Sequence, residues 1–314
     1  MSRALIFPGQ GSQAVGMGQA LAEAFPAARE LFQEIDDALS QPLSRLMWQG
    51  PEADLTLTEN AQPALMAVSL AVMRVLEVEG KFTWGTHASL VAGHSLGEYS
   101  ALAAAGAFSI SDAARLLKAR GLAMQRAVPV GQGGMAALLG AEISQAEEVA
   151  AEASKGAEVC VVANDNAPGQ VVISGHKAAL ERAAEIAKAR GIKRTMPLPV
   201  SAPFHSPLMA PAAREMEDAL ARVKMRPPKV PLISNVSVAP ESDPERIRRL
   251  LIEQVTARVR WRETVAGFRD RGVTAVVEVG AGKVLATMTK RIDKELSMTS
   301  IETPQEIELF LKSL

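Results

Sequence analysis

One serine lies in a setting that favours nucleophilic chemistry. Ser95 is the centre of Gly93-His94-Ser95-Leu96-Gly97, which fits the pattern G-x-S-x-G. The apolar stretch 88–92 before it predicts a buried strand, and residues 98–105 after it predict a helix. A strand, a sharp glycine turn and a helix present a serine oxygen beside a helix N-terminus, where free N–H groups favour developing negative charge. The pattern alone arises by chance, so this local context carries the prediction of a nucleophile.

A serine nucleophile needs a general base, and the sequence offers four histidines. His94 adjoins the serine in the turn, so its side chain should point away from Ser95. His87 begins a predicted strand and should be solvated, while His176 resembles a turn or helix-start residue. His205 lies in the loop 199–207, whose prolines restrict the backbone, and a rigid loop is a reasonable carrier for a catalytic base. We therefore predict His205 as the base.

No carboxylate stands out as the third member of a triad. Asp165 lies between Ser95 and His205 in the chain, as the order Ser…Asp/Glu…His requires, but it falls in a turn-rich segment. A backbone carbonyl can orient the imidazole instead.

Arg120 is the second residue that suggests chemistry. On a helix over Ser111–Val128 it occupies the middle of an apolar face made of Ala113, Leu116, Leu117 and Met124. An arginine there is unfavourable unless an anion meets it. Two interpretations remain open: an internal ion pair, or a fork that binds a substrate carboxylate in bidentate fashion.

A glycine-rich loop follows the first predicted strand. Gly9-Gln10-Gly11-Ser12-Gln13-Ala14 weakly satisfies the dinucleotide pattern G-x-G-x-x-G/A. That pattern needs a second strand ending in an acidic residue about 20 positions later. Residues 19–40 predict a helix instead. A loop that brings Gln10 close to Ser95 fits better.

The composition predicts a soluble globular protein of one large domain or two. The 314 residues are 48% hydrophobic and 22% charged, and the net charge of −1 gives no global field for nucleic acid or a membrane surface. The single cysteine, Cys160, excludes a disulfide framework and lies in an apolar run, as a small buried side chain would. No metal and no cofactor is expected.

Targeting and membrane segments are not expected either. Residues 1–9 show no signal-peptide core. The longest apolar stretch, Ala64–Val78, is interrupted by Arg74 and Glu77 and is too short to span a bilayer. A cytoplasmic location is the default expectation.

Short apolar strands alternate with amphipathic helices, which predicts an α/β fold with a parallel sheet covered by helices. The predicted strands are Ala4–Phe7, Ser89–Ala92, Val230–Ser234 and Ala275–Val279. The predicted helices are Met17–Leu39, Gln62–Val78, Leu96–Ala105, Ser111–Val128, Pro207–Val223, Pro244–Gln254 and Trp261–Arg271.

One segment departs from this alternation and has the order βαββαβ of a ferredoxin-like unit. Its predicted strands are Gly134–Leu139, Val159–Ala163, Gln170–Ser174 and Lys193–Val200, and its helices are Gln145–Ser154 and Ala178–Arg190. The two middle strands are joined by the turn-rich stretch 164–169. We therefore predict a small ferredoxin-like domain, residues 129–198, inserted into a large domain formed by residues 1–128 and 199–314.

These motifs together resemble the malonyl-CoA:acyl carrier protein transacylases of fatty-acid synthesis. The matching stretches run in order over nearly the whole chain: 7–13, 93–98, 119–125, 164 with 167–170, 203–206, 259–261 and 278–283. Ala281 is a departure, since the family commonly has proline there. The resemblance implies an α/β-hydrolase-like core with a ferredoxin-like insert, which agrees with the predicted elements.

The resemblance also implies roles for individual residues. Ser95 becomes the nucleophile, and His205 the base, oriented by the main-chain carbonyl of Gln254. Arg120 binds the free malonyl carboxylate. The backbone N–H groups of Leu96 and Gln10 form the oxyanion hole.

Two further positions belong to the expected substrate site. Asn164 would lie near the cleft between the domains. The bulk of Phe204, beside His205, should disfavour a branched acyl group such as methylmalonyl, because one extra methyl is typically worth about 1–3 kcal/mol of discrimination.

The leading hypothesis is therefore an acyltransferase that passes malonyl from malonyl-CoA to Ser95, and then to the phosphopantetheine thiol of an acyl carrier protein. A serine hydrolase, either an esterase or a thioesterase, is the alternative enzyme class; it does not explain Arg120, and no H-G-G-G-type loop is present. A carrier-binding module with a dead site is the non-enzymatic alternative. The sequence leaves open whether the pathway makes fatty acids or polyketides.

Overall fold

The computed structural model describes residues 2–200 and 202–314. Met1, at the start of the N-terminal segment, and Ser201, in the proline-rich loop before His205, lie outside the described residues. The strands in the described part are β1 (Arg3–Phe7), β2 (Leu90–Gly93), β3 (Gly133–Leu139), β4 (Cys160–Ala167), β5 (Gln170–His176), β6 (Arg194–Pro197), β7 (Leu232–Ile233), β8 (Pro240–Glu241), β9 (Ala275–Val279) and β10 (Ser297–Ile301).

The helices in the same residues are α1 (Gln19–Ala24), α2 (Pro26–Leu39), α3 (Leu43–Gln49), α4 (Glu52–Thr56), α5 (Thr58–Glu79), α6 (Gly97–Ala104), α7 (Ile110–Arg126), α8 (Ile143–Ala153), α9 (Lys177–Ala189), α10 (Ala210–Ala221), α11 (Pro244–Gln254), α12 (Trp261–Ala266), α13 (Val284–Ile292) and α14 (Pro304–Leu311). Short 3₁₀ turns cover Pro207–Met209 and Arg269–Arg271.

The larger sheet has the strand order β10-β9-β1-β2-β7-β8 and is parallel except for β8, which runs antiparallel to β7. β1 lies inside the sheet and is buried from Ala4 to Phe7. It pairs with β2 up to Phe7 opposite Gly93. Because both strands end at the same edge, the loop after β1 and the turn after β2 meet there, where parallel sheets place their ligands.

The smaller sheet has the order β4-β5-β3-β6, and every neighbouring pair is antiparallel. Helices α8 and α9 pack together and against this sheet over an alanine-rich core of their own. The predicted fold class is thereby confirmed: a parallel sheet covered by helices, with a smaller antiparallel sheet of βαββαβ order. The domain boundaries at residues 129–198 stay a prediction.

Several element boundaries differ from the predicted ones. The helix predicted over Met17–Leu39 is two helices, because Phe25 is extended and Pro26 starts a new helix. The strand predicted over Val230–Ser234 has only two residues. The stretch 164–167, predicted as a turn, continues β4 with two irregularities in its pairing to β5, so the turn itself is only Pro168-Gly169.

Helix α5 is longer than the apolar stretch that the sequence suggested. It has 22 residues, because it also includes polar residues such as Asn60 and Gln62 before the apolar stretch. By length and composition it could cross a membrane. Its most apolar window is 83% buried inside the protein, against helices α2, α6 and α7. It is the central helix of the largest hydrophobic cluster.

Candidate active site

Ser95, His205 and Gln254 form a chain of hydrogen bonds at the carboxyl edge of the larger sheet. The Ser95 hydroxyl lies 2.8 Å from His205 Nε2, and His205 Nδ1 lies 2.9 Å from the main-chain oxygen of Gln254. A carbonyl oxygen can only accept, so Nδ1 carries the proton and Nε2 is the free base that faces the hydroxyl. The arrangement supplies a nucleophile, a base and a group that orients the base.

The turn that carries Ser95 depends on two glycines. Ser95 has φ 55°, in the left-handed region that side chains other than glycine rarely adopt. A Cβ on Gly93 would lie 2.0 Å from the carbonyl carbon of Gly97, and one on Gly97 would lie 2.2 Å from the main-chain oxygen of Phe7. Only glycine allows the turn to fold so tightly against the end of β1.

His205 is held as a neutral base. Its side chain is buried, and burial together with the nearby Arg120 charge lowers its pKa to about 3. The residue itself has φ 55° in the loop after β6. Asp165, the carboxylate that follows Ser95 in triad order, does not take part: it forms an ion pair with Arg262 at 3.0 Å.

Arg120 lies in the same buried cluster, on helix α7, and is only 1% exposed. Its Nη2 donates to Ser95 Oγ at 3.0 Å and to Gln254 Oε1 at 2.9 Å, and its Nη1 donates to Gln62 Oε1 at 2.9 Å. Within residues 2–200 and 202–314 it forms no ion pair with a carboxylate, and its Nε has no hydrogen-bond partner. Burial lowers its pKa, although Tyr99 and the carboxyl of Glu98 act in the opposite direction.

Gln62 and the Gln254 side chain are functional neighbours that the sequence analysis missed as Arg120 partners. Both are buried and uncharged. The Gln254 amide also donates to the main-chain oxygen of Ser95 at 3.0 Å and to Glu98. Gln62 comes from the first turns of α5 and meets α7 only in the folded chain, so no local pattern could have identified it.

The backbone N–H groups of Leu96 and Gln10 are the ones expected to form an oxyanion hole. Both residues line the cavity around Ser95, and neither N–H has an acceptor among the residues that the structure describes. Leu96 directly follows Ser95 at the start of α6, and Gln10 lies in the loop after β1. The Gln10 side chain donates to Thr58 Oγ1 at 3.4 Å, which holds the loop against α5.

The cavity itself has a volume of about 260 Å³ and is lined by strands of the smaller sheet and by loops and helices that flank the larger sheet. Asn164 from β4 and Phe204 beside His205 line it, and both are buried. The side chain of Asn164 has no hydrogen-bond partner among the described residues. The structure therefore brings all eight residues predicted for the site to one cavity or to its immediate wall.

The remaining histidines have structural contacts. His94 also lines the cavity, but its Nε2 bonds to Asn166 Oδ1 at 2.8 Å, and its ring packs against Trp261. His87 and His176 each accept from a backbone N–H at 2.9 Å. Cys160 is buried, and burial raises the pKa of its thiol to about 12, as expected of a packing residue.

Comparison with known proteins places this arrangement in a family. Residues 4–303 match the family described as the acyl transferase domain. The chain belongs to the acyl transferase family. Every side chain of the site described above falls within the matched residues, and the resemblance drawn from the sequence motifs is confirmed.

Individual members of the family are similar over their full length. The malonyl CoA-acyl carrier protein transacylase of Bacillus subtilis (strain 168) is 43% identical over 311 residues, which cover 99% of this chain and 96% of the relative. The crystal structure of an acyl-carrier-protein-S-malonyltransferase from Bartonella henselae is 54% identical, with a TM-score of 0.97 and coverage of 100% and 99%. A malonyl-transacylase solved in complex with its type II PKS acyl-carrier protein is 42% identical, with a TM-score of 0.96 and full coverage of both chains.

Proposed function

We propose that this acyl transferase moves the malonyl group of malonyl-CoA to the phosphopantetheine thiol of an acyl carrier protein through a malonyl ester on Ser95. The names of the full-length relatives support the substrate class. The single observation that carries the proposal is the buried Arg120 guanidinium, which touches Ser95 Oγ and has no carboxylate partner among the described residues. An acyl group that brings its own carboxylate satisfies it.

The first half-reaction makes the ester. Ser95 Oγ attacks the thioester carbonyl as His205 Nε2 takes the hydroxyl proton. The N–H groups of Leu96 and Gln10 stabilise the oxyanion of the tetrahedral intermediate. Its collapse breaks the carbon–sulfur bond, and His205 gives its proton to the departing thiolate of coenzyme A.

The second half-reaction reverses these roles. The phosphopantetheine thiol attacks the ester carbonyl and loses its proton to His205 Nε2. Collapse of the intermediate breaks the bond to Ser95 Oγ, which recovers the proton from His205. In both steps Gln254 keeps the imidazole oriented by accepting from Nδ1, so the base presents the same nitrogen each time.

Arg120 selects the acyl group. A guanidinium has five N–H donors, and Gln62 and Gln254 occupy two of them. Three remain, including the one that reaches Ser95 Oγ. Once that oxygen belongs to an ester it is a poorer acceptor, and the donor becomes available to the malonyl carboxylate. Phe204, in the same cavity wall, disfavours a branch at the α-carbon.

The acyl acceptor, the pathway and the location follow from the proposed malonyl transfer. We propose a phosphopantetheinylated acyl carrier protein as the acceptor, fatty-acid biosynthesis as the pathway supplied, and the cytoplasm as the location. The solved relative bound to its acyl-carrier protein supports the class of acceptor. The net charge of −1 supports neither nucleic acid nor a membrane surface as a partner.

Steady-state kinetics with malonyl-CoA, with and without the phosphopantetheinylated carrier, test the proposal. We expect release of coenzyme A to depend on the carrier, with malonyl recovered on its thiol. Rapid release without the carrier and no malonyl-carrier product would identify a thioesterase. Absence of turnover in both conditions would favour a carrier-binding module.

A further inference from the structure

Asn235 contacts the nucleophile turn from outside the cavity. It follows β7, is fully buried, and does not line the cavity around Ser95. Its side-chain Nδ2 donates to the main-chain oxygen of Gly93 at 2.7 Å, and its Oδ1 accepts from the N–H of Ser95 at 2.8 Å. One amide thus bridges the two peptide groups on either side of His94.

This bridge extends the pairing of β2 with β7 beyond the residues whose backbones pair. β2 pairs with β7 in parallel, with Ala92 opposite Ile233, so the same register places His94 opposite Asn235. In a parallel ladder a residue donates to the carbonyl before its partner and accepts from the N–H after it. The Asn235 side chain makes that pair of bonds with residues 93 and 95 in place of a backbone peptide.

The orientation of the amide is fixed by its neighbours. Its oxygen faces the Ser95 N–H and, at 3.4 Å, the Gln254 amide, which are both donors, while its nitrogen faces a carbonyl. A flipped amide would oppose donor to donor and acceptor to acceptor. The Asn235 backbone N–H donates to the buried Glu98 carboxyl of α6, which holds the residue in place.

We propose that Asn235 is a positioning residue that holds Ser95 in its left-handed conformation, so that Oγ meets His205 and the Leu96 N–H faces the acyl carbonyl. A left-handed serine costs energy and persists only where its surroundings over-determine it. Without the bridge, the buried N–H of Ser95 and carbonyl of Gly93 lose their partners, and the turn relaxes away from that geometry. The inference rests on the proposed Ser95 ester, because its readout is the formation of that ester.

The experiment measures the rate of Ser95 acylation by malonyl-CoA, by rapid quench and intact mass, in the full-length protein. For Asn235→Ala we expect acylation to fall about 10²-fold, the scale of a misplaced reacting group, with little change in KM and an unchanged ratio of malonyl to acetyl transfer. The matched control is Ser69→Ala, which removes another buried hydrogen bond, from Ser69 Oγ to the Val279 carbonyl at 2.8 Å, away from the cavity. It should acylate at the wild-type rate.

Asn235→Asp gives a second readout, the pH dependence of acylation, which would not change if Asn235 had only a structural role. A carboxylate accepts from Ser95 N–H but cannot donate to the Gly93 carbonyl, whereas a protonated carboxyl does both and has the shape of the amide. Glu98, Arg120, His94 and His205 are charged or titratable groups around this turn. Arg260 lies on the other side, where its backbone N–H donates to the Asn235 carbonyl at 3.2 Å and its guanidinium to the Val236 carbonyl at 3.0 Å. We expect acylation by Asn235→Asp to recover as pH falls, while the ratio of Asn235→Ala to wild type stays constant.

The outcomes separate the two proposals. A wild-type protein that does not acylate overturns the proposed function, whatever the variants do. If the wild type acylates, then a folded Asn235→Ala at the wild-type rate, or a loss found only in KM, overturns the role of Asn235. Should Asn235→Ala not fold, an Asn235→Asp protein that is fully active above neutral pH, or one without recovery at lower pH, overturns it equally.

Discussion

At the scale of single residues, the two side chains that we propose to react belong to residues with strained backbone. Ser95 and His205 both have φ 55°, and each is held by groups that do not react: Asn235 at the serine and the Gln254 carbonyl at the histidine. Such strain is stored where function needs a side chain in one place. Gln254 also holds Arg120, so one residue links the proposed base to the proposed carboxylate fork.

Arg120→Ala should change acyl selectivity. Each charge-assisted hydrogen bond is worth roughly 1.5–3 kcal/mol, so losing the fork should lower malonyl transfer at least about 10-fold while acetyl transfer stays equal or improves. Arg120→Lys should recover malonyl transfer only in part, because an ammonium lacks the planar fork. Both activities and the melting temperature are measured. An unchanged malonyl-to-acetyl ratio would remove Arg120 from substrate binding.

The acid side of the pH profile tests the buried state of His205. Burial and the Arg120 charge lower its pKa to about 3, so the neutral base persists well below the ordinary value of 6.5. We expect kcat/KM for malonyl-CoA to stay level from about pH 7.5 to about pH 5, without an inflection near the usual histidine pKa. In Arg120→Ala the acid limb should move to higher pH, because one cause of the lowered pKa is gone. A fall of wild-type kcat/KM with a midpoint near pH 6.5 would instead indicate an ordinary, solvated histidine.

At the scale of elements, the close crossing of α5 and α7 assembles the fork. Gly121 follows Arg120, and a Cβ there would lie 2.5 Å from Glu59 Cα and 2.7 Å from the Thr58 main-chain oxygen. The glycine lets α7 approach the first turns of α5, which carry Gln62. The part of the cavity proposed to bind the acyl carboxylate is therefore formed where α5 and α7 approach each other closely.

Gly121→Ala should consequently destabilise the protein. Alanine in an unconstrained helix interior would add about 1 kcal/mol of stability over glycine. The steric contact with α5 therefore decides whether Gly121→Ala raises or lowers the stability. We expect a lower melting temperature and a larger loss of malonyl than of acetyl transfer, since Gln62 and Arg120 separate. Gly134→Ala is the matched control, because its Cβ would meet only Leu180 Cδ1 at 3.7 Å. Equal behaviour of the two variants would contradict the account.

Properties confined to one element could be predicted from the sequence. The strand–turn–helix around Ser95 and the apolar face around Arg120 depend on local spacing, and both lie as expected. Gln62 and Asn235 could not be identified, because their partners lie on distant segments that meet only in the folded chain. The apolar run 230–234 predicts a longer strand than the two residues of β7. The side chains of residues 164–167 predict a turn, but pairing with β5 holds these residues in a strand.

At the scale of the whole molecule, the smaller sheet is fastened to the larger part beside the cavity. β4 forms a parallel bridge from Asn164 to Val259, Asn166 bonds to His94, and Asp165 pairs with Arg262 of α12. Three consecutive residues of β4 thus tie the wall of the cavity to the larger part, and Asn166 reaches the turn that carries Ser95. The order of the elements predicted a ferredoxin-like unit, but this attachment involves contacts that no local pattern contains.

Breaking that attachment should cost stability. Asp165 is almost completely buried, and one of its oxygens has no partner, so removing Arg262 leaves an uncompensated carboxyl whose pKa burial already raises. We expect Arg262→Ala to lower the free energy of unfolding by roughly 1–3 kcal/mol, measured by urea unfolding. Asp165→Asn combined with Arg262→Ala should recover part of the loss. A double variant less stable than Arg262→Ala would show that the charge was not the cause.

The intact mass of the protein after mixing with malonyl-CoA tests the central claim most directly. The account predicts one added malonyl group, on Ser95, that is lost again when the phosphopantetheinylated acyl carrier protein is added and then appears on the carrier. Ser95→Ala should gain no mass, and His205→Ala should acylate roughly 10²–10⁴-fold more slowly, as expected when a general base is removed. A wild-type protein that transfers malonyl to the carrier without ever carrying it, or that carries it on another residue, would contradict the account.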